Sequence, residues 1–190
     1  MQNTENPFTA FDLIKPPVKI TAQRLTVTDI FESDERVYAK LYTDDDLNRF
    51  YGYNYREDIK EEPTPNVIFN FFTELKEKKE EYSLAVRKIG ETNGERNEMI
   101  GEIVIYSFSE KKTAPSCEIG FRFFKDFQGK GYATESVCAV IGYLFTAGIN
   151  KIKCKCLKEN LPSERLIKRL GFTLIRKDDK YFYYELLRGF

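Results

Sequence analysis

The order of elements along this chain predicts an α/β fold, a single domain on a mixed, mostly antiparallel sheet of about seven strands with helices on both faces. Three observations carry that expectation. Apolar runs of strand length alternate with segments of helical period. The three central runs follow one another across short turn-rich links, which suits an antiparallel meander. A glycine turn then joins the third run to an amphipathic helix, whose N-terminus is a natural anion site.

Residues up to Pro17 read as an extension, because the Pro16-Pro17 pair cannot enter a ladder, and this tail is expected to be loosely held ahead of a single domain over 18–190. A strand is expected over Val18 to Thr28, then a polar helical stretch from about Ser33. The segment from Thr43 to Asp58 is irregular and mixes Asp44, Asp45 and Asp46 with Phe50, Tyr51, Tyr53 and Tyr55. Past Pro63 and Pro65, Val67, Phe71, Phe72 and Leu75 fall at helical spacing. Strands follow over Tyr82 to Ile89, Met99 to Phe108 and Ser116 to Phe124. Val137, Val140, Ile141, Leu144 and Phe145 make the stripe of an amphipathic helix that Gly148 closes. A strand over Lys151 to Leu157, a helix from Pro162 to Leu170 stopped by Gly171, and strands over Phe172 to Arg176 and Lys180 to Leu187 complete the order.

Composition narrows the function. In 190 residues, 42% hydrophobic and 32% charged types give a globular balance, and the chain is long enough to bury its own core. Thirty basic and thirty acidic residues cancel, so no global positive field gathers nucleic acid or anionic lipid. No basic leader with an apolar run opens the chain, and nothing approaches the roughly 20 apolar residues of a membrane span. A cytoplasmic monomer or homodimer is expected. Cys117, Cys138, Cys154 and Cys156 read as reduced, small apolar side chains, with no metal site. Histidine is absent, which removes Ser-His-Asp and Cys-His sites and nearly any zinc catalytic site. Proton transfer is left to carboxylates, Tyr, Cys, Lys or water.

Gln128-Gly129-Lys130-Gly131-Tyr132-Ala133-Thr134 fills the link between the third central strand and the amphipathic helix. Two glycines let the backbone approach a ligand closely, and the helix start aims N–H groups and a partial positive charge at it, the features of a diphosphate cradle. The same turn also serves as a plain strand-to-helix link. A P-loop loses ground, because position 124 is Phe and Gly131 follows Lys130. A dinucleotide fold would want a third small residue at Thr134 and an acidic end to the next strand, which reads KIKCKCLK.

The loop resembles the acetyl-CoA motif Q/R-x-x-G-x-G/A of the GNAT superfamily of acetyltransferases, matched by Gln128, Gly131 and Ala133. EIGF before it, Asn160-x-x-Ser163 after it and Leu170-Gly171-Phe172 extend the likeness to the RimJ/RimL branch, whose members acetylate N-termini of ribosomal proteins beside relatives acting on small amines and antibiotics. The resemblance implies a GNAT-type sheet, acetyl-CoA as acyl donor and an amine acceptor, a peptide N-terminus or a small amine; a non-catalytic acyl-CoA-binding module is the alternative of another class.

Only a free amine attacks a thioester, so a base must take a proton from the ammonium. Glu118, on the strand leading into the loop, matches the position of the base in several relatives; partly desolvated there it would be a stronger base than in water, and otherwise it is a solvated strand carboxylate. The resemblance also implies that main-chain amides freed by a bulge near Phe123 and Phe124 stabilise the developing oxyanion. Ile167 stands where many relatives have a proton-donating Tyr, so Ser163 takes the donor role unless it is only a first-turn helix residue. Asn160 would touch the pantetheine arm, cap the last helix, or do both. Arg165 and Lys168 either meet the adenosine phosphate or are solvated helix charges. Asp44, Asp45 and Asp46 with the nearby tyrosines would shape the acceptor site, or form a solvated acidic turn.

Overall fold

The computed structural model describes residues 7–51, 54–90 and 97–189. Among them eight strands, β1 (Lys19–Thr21), β2 (Leu25–Asp29), β3 (Glu81–Lys88), β4 (Glu98–Tyr106), β5 (Ser116–Phe123), β6 (Lys151–Leu157), β7 (Thr173–Lys177) and β8 (Tyr181–Leu187), form one sheet in the order β1-β2-β3-β4-β5-β6-β8-β7. Every neighbouring pair is antiparallel except β5 and β6. The expected mixed sheet is therefore present with one strand more. The extra strand arises because Val18 to Thr28 is a hairpin: Ala22 N–H reaches Leu25 O at 2.9 Å and the chain folds back on itself.

Helices cover both faces. On one lie α4 (Tyr132–Ala147) and α5 (Leu161–Arg169), and on the other α1 (Glu35–Thr43), the short α2 (Asp45–Asn48) and α3 (Pro65–Glu77). The α4 stripe buries Val137, Val140, Ile141 and Leu144 against Val27, Ile103, Ile105, Cys117 and Ile119, and Gly148 ends the helix at φ 107. Across the sheet, α3 packs on Ile68 and Phe72 with Val67, Phe71 and Leu75 at its flanks, so the buried line is one residue off the expected stripe.

Within the stretch before Pro17, the described residues 7–16 are held against the domain. Thr9 caps a 3₁₀ turn over Ala10–Leu13, Ala10 N–H bonds Ser109 O at 2.8 Å, and Ala10 and Ile14 are buried in the first core. Cys117, Cys154 and Cys156 are buried as small apolar groups, whereas Cys138 is exposed on α4.

Strand register sorts the polar residues. Glu81, Tyr106, Glu118 and Lys153 lie opposite one another across β3, β4, β5 and β6, and Ala85, Glu102 and Arg122 form a parallel row. Residues opposite one another share a face. Both rows look toward α1 and α3, because Ala85 belongs to their core.

Candidate active site

β5 and β6 stay paired for three residues, from Ser116↔Lys151 to Glu118↔Lys153, and then part. The gap opens into a cavity of about 980 Å³ lined by Ile119 to Phe123 of β5, Cys154 to Cys156 of β6, the start of α4, the α5 residues Ser163 and Arg165, and the chain around α2. It thus reaches both faces of the sheet. Phe124 N–H donates to Ile100 O at 3.0 Å, so even-numbered amides of β5 point to β4 and odd-numbered ones to β6. Beyond the last β6 pair, the Phe121 and Phe123 N–H groups therefore face the gap. This corrects the expectation for Phe124, whose amide is engaged and whose ring packs in the second core. The expected bulge is also elsewhere, at Val86/Arg87; strand divergence frees the donors instead.

The glycine loop keeps its amides free of protein partners. Gly129 and Gly131 sit at φ 72 and 83, where a β-carbon is disfavoured. The first helical bond of α4 runs from Glu135 N–H to Gly131 O. Among the described residues the amides of Gly129, Lys130, Gly131, Tyr132, Ala133 and Thr134 carry no protein hydrogen bond, and Gly131 offers no side-chain cap. Six such amides at the start of a 16-residue helix have the chemistry to receive an anion. Gln128 braces it by donating from Nε2 to Phe123 O at 2.9 Å. Lys130 does not border the cavity, and only its amide, free of a protein partner, belongs to this row.

Arg24, which the sequence did not single out, pins this loop from the β1–β2 turn. Its Nη1 donates to Lys130 O at 3.1 Å, its Nε pairs with Glu135 at 2.7 Å, and its guanidinium lies 4.7 Å from the Tyr132 ring centre. Because the pair is half-exposed, Arg24→Ala is expected to weaken capture of a diphosphate ligand by roughly tenfold, read by calorimetry, with little change in melting temperature.

On α5, Asn160 Oδ1 accepts from Ser163 N–H at 3.1 Å, which makes it the helix cap, and both residues border the cavity. Ile167 is buried in the core. Arg165 and Arg169 border the cavity, whereas Lys168 is drawn to Glu164 at 2.6 Å. Burial pushes the Cys156 thiol up to about 11 and Cys154 higher still, so neither is a nucleophile near neutral pH.

Glu118 is tied up. Its Oε1 accepts from the Tyr106 hydroxyl at 2.7 Å with Lys155 Nζ at 3.9 Å, and Tyr106, not Glu118, borders the cavity. Burial and the Glu118 charge push the Tyr106 phenol well above its ordinary pKa, which keeps it a donor. Toward α1 and α3 the wall is Tyr42, Asp44, Asp46, Phe50, Tyr51 and Glu81. Asp44 also caps α2, Asp45 turns away to Arg56, Tyr55 is buried, and Tyr53 lies outside the described residues.

Beneath that wall Arg122 Nη2 lies 2.6 Å from Glu102 Oε1, with Arg122 stacked 3.6 Å from the Tyr42 ring centre and 4.4 Å from that of Tyr51. Asn48 Oδ1 accepts from Arg122 Nη1. The sequence reading missed Glu81, Glu102 and Arg122. A signal existed for the last two, since each is a lone charge inside an apolar run, IGEIVI and IGFRFF. Glu81 had none, because it closes the charged run that ends α3.

Residues 24–173 match the acetyltransferase (GNAT) domain family. The chain is 26% identical over 154 residues to the uncharacterized N-acetyltransferase YoaA of Bacillus subtilis (strain 168), spanning 80% of this chain and 81% of that one. To the uncharacterized N-acetyltransferase YnaD of the same organism it is 38% identical over 74 residues, 38% of this chain and 42% of YnaD. Mycobacterium smegmatis RimJ, solved in complex with CoA-disulfide, superposes with a TM-score of 0.72 at 15% identity over 90% of this chain and 88% of that one, a likeness of fold. No helix among the described residues is long and apolar enough to cross a membrane.

Proposed function

The chain belongs to the GNAT acetyltransferase family, and on that premise we propose that it moves the acetyl group of acetyl-CoA to a primary amine, in first place the N-terminal amine of a protein or peptide. The observation that carries this is the row of six unpartnered amides, Gly129 to Thr134, at the mouth of a cavity that continues through the β5–β6 gap to the opposite face. A diphosphate fits the amides, a slender arm fits the gap past Asn160, and an amine reaches the gap from the α1–α3 side. Acetyl-CoA supplies the acyl group as a thioester. The Phe121 and Phe123 amides are placed to receive the oxyanion that develops on its carbonyl. Ser163, on the cavity wall, donates to the departing thiolate, and the carboxylates around Tyr106 take the proton of the acceptor. The Asn160-x-x-Ser163 pattern supports the RimJ/RimL branch.

An N-terminal amine, with a pKa near 8, asks less of a carboxylate base than an alkylamine near 10, which suits a site without imidazole. A small amine is the second reading, favoured by Asp44, Asp46 and Glu81 on the cavity wall, which attract a cation. Calorimetry with coenzyme A, followed by acetyl transfer to a panel of N-terminal peptides, polyamines and aminoglycosides, tests both. Coenzyme A heat with turnover of peptides is expected. Turnover of small amines alone replaces the first reading by the second, and tight binding without thiol release leaves an acyl-CoA-binding module.

A further inference from the structure

Besides Asp46, exposed in the first turn of α2, four carboxylates lie within the two polar rows of the sheet and the chain around α2 that faces them, and they differ in what they can do. Glu102 is fully buried and spent on Arg122. Asp44 caps α2. Glu118 holds the Tyr106 hydroxyl. Glu81 borders the cavity itself, at the start of β3, and among the described residues its one hydrogen bond is at Oε1, which accepts from Ser83 Oγ at 2.9 Å.

The register gives Glu81 its place. It lies opposite Tyr106, which lies opposite Glu118, so Glu81 and Glu118 flank one phenol from either side on the acceptor face. Two strand spacings separate them, about 10 Å. Across the sheet Glu118 lies one strand nearer the gap than Tyr106 and Glu81 one strand farther, yet Glu118 is bonded to the phenol and does not border the cavity, whereas Tyr106 and Glu81 both do. We infer that Glu81 is the catalytic residue that accepts the acceptor's proton, directly or through one water, and that Glu118 is a positioning residue that fixes the Tyr106 hydroxyl. This rests on the amine-acetylation reading above.

The atoms balance. The ammonium gives one proton to the Glu81 carboxylate, the nitrogen lone pair forms the C–N bond as the C–S bond breaks, and the second nitrogen proton ends on the departing sulfur. Glu81 then returns its proton to solvent.

The surroundings poise Glu81 for this. Around it are Tyr106 and Glu102 from β4, Arg122 from β5, and Tyr38 and Tyr42 from α1, while Asp44 and Asp46 at the start of α2 and Phe72 of α3 border the same cavity. Burial, then the Glu102 charge, push Glu81 up to about 7 against the opposing pull of Ser83 and Arg122. A base titrating near neutral pH is matched to its task. Because the folded pKa is raised, the native state keeps a proton that the unfolded chain has released between about pH 4.5 and 7, and stability falls as pH rises through that window.

Steady-state acetylation by the wild type, Glu81→Gln and Glu118→Gln across pH 5.5 to 9 tests the assignment, with coenzyme A affinity and the melting of the ligand-free proteins measured in parallel. Glu81→Gln is expected to lower kcat about a hundredfold or more and to lose the limb near pH 7, with coenzyme A affinity unchanged. Glu118→Gln keeps that limb at a smaller loss. In the ligand-free proteins, Glu81→Gln matches wild-type melting at pH 4 and exceeds it by about 5 °C at pH 8. A limb that survives in Glu81→Gln and vanishes in Glu118→Gln overturns the assignment, as does a melting difference that does not change with pH. Absence of transfer by the wild type would overturn the amine-acetylation reading and this role with it, whereas wild-type transfer with an unaltered Glu81→Gln profile overturns Glu81 alone.

Discussion

A Gly131→Val enzyme is expected to bind coenzyme A about thirtyfold more weakly than the wild type while melting within a few degrees of it. Gly131 sits at φ 83 as the residue that opens α4, and a β-carbon there would lie 3.3 Å from Arg24 Nη2. A β-branched residue in the left-handed region costs about 2 kcal/mol. The loop relieves that strain by rotating, which turns the Gly131 and Tyr132 amides out of line and pushes Arg24 off Lys130 O. Only the fraction of molecules that keep the strained loop binds the diphosphate, so about 2 kcal/mol appears as a thirtyfold rise in Kd. Gly142→Ala is the control: Gly142 is exposed in α4, has nothing within 4 Å of its would-be β-carbon, and gains helix propensity. Calorimetry on the two variants decides the point. A Gly131→Val Kd within threefold of wild type would mean that the amides are not the grip.

That loop was legible because its physics is local. Two positive-φ glycines ahead of a 3.6-residue stripe announce a helix start with free amides wherever they occur, and the bounds of β6 were read residue for residue from KIKCKCL. What escaped was non-local. The β1–β2 turn at Ala22, Gln23 and Arg24 holds no Gly, Pro, Asn or Asp, so nothing in the residues separated two strands from one. The parting of β5 and β6 is set by what packs on either side, and neither strand carries a mark where pairing ends; the donors were therefore attributed to a bulge and to Phe124. Glu118 was chosen by position along its strand, yet whether a carboxylate meets a cavity depends on the strand next to it. Here Tyr106, on that strand, holds Glu118 and borders the cavity in its place.

The largest effect on stability is expected from Arg122→Ala, about 3–5 kcal/mol, because the substitution leaves Glu102, at 0% exposure, without its counter-charge. Burial already raises the Glu102 pKa against the pull of Arg122, so without its partner the carboxylate protonates or the core opens. Three further contacts go with the guanidinium: the Tyr42 stack, the Tyr51 stack and the bond to Asn48. These tie α1 and the chain around α2 to the middle of the sheet, so the acceptor wall should loosen along with the fold. For a chain of this size a loss of that order lowers the melting temperature by roughly 10 °C. The double variant Glu102→Leu/Arg122→Met separates the two consequences. An apolar pair of similar volume removes the stranded charge and should recover most of the melting temperature. It cannot restore the stacks or the Asn48 bond, so acceptor KM should stay raised. Recovery of KM together with stability would show that the ion pair serves folding alone and that the acceptor wall holds itself in place.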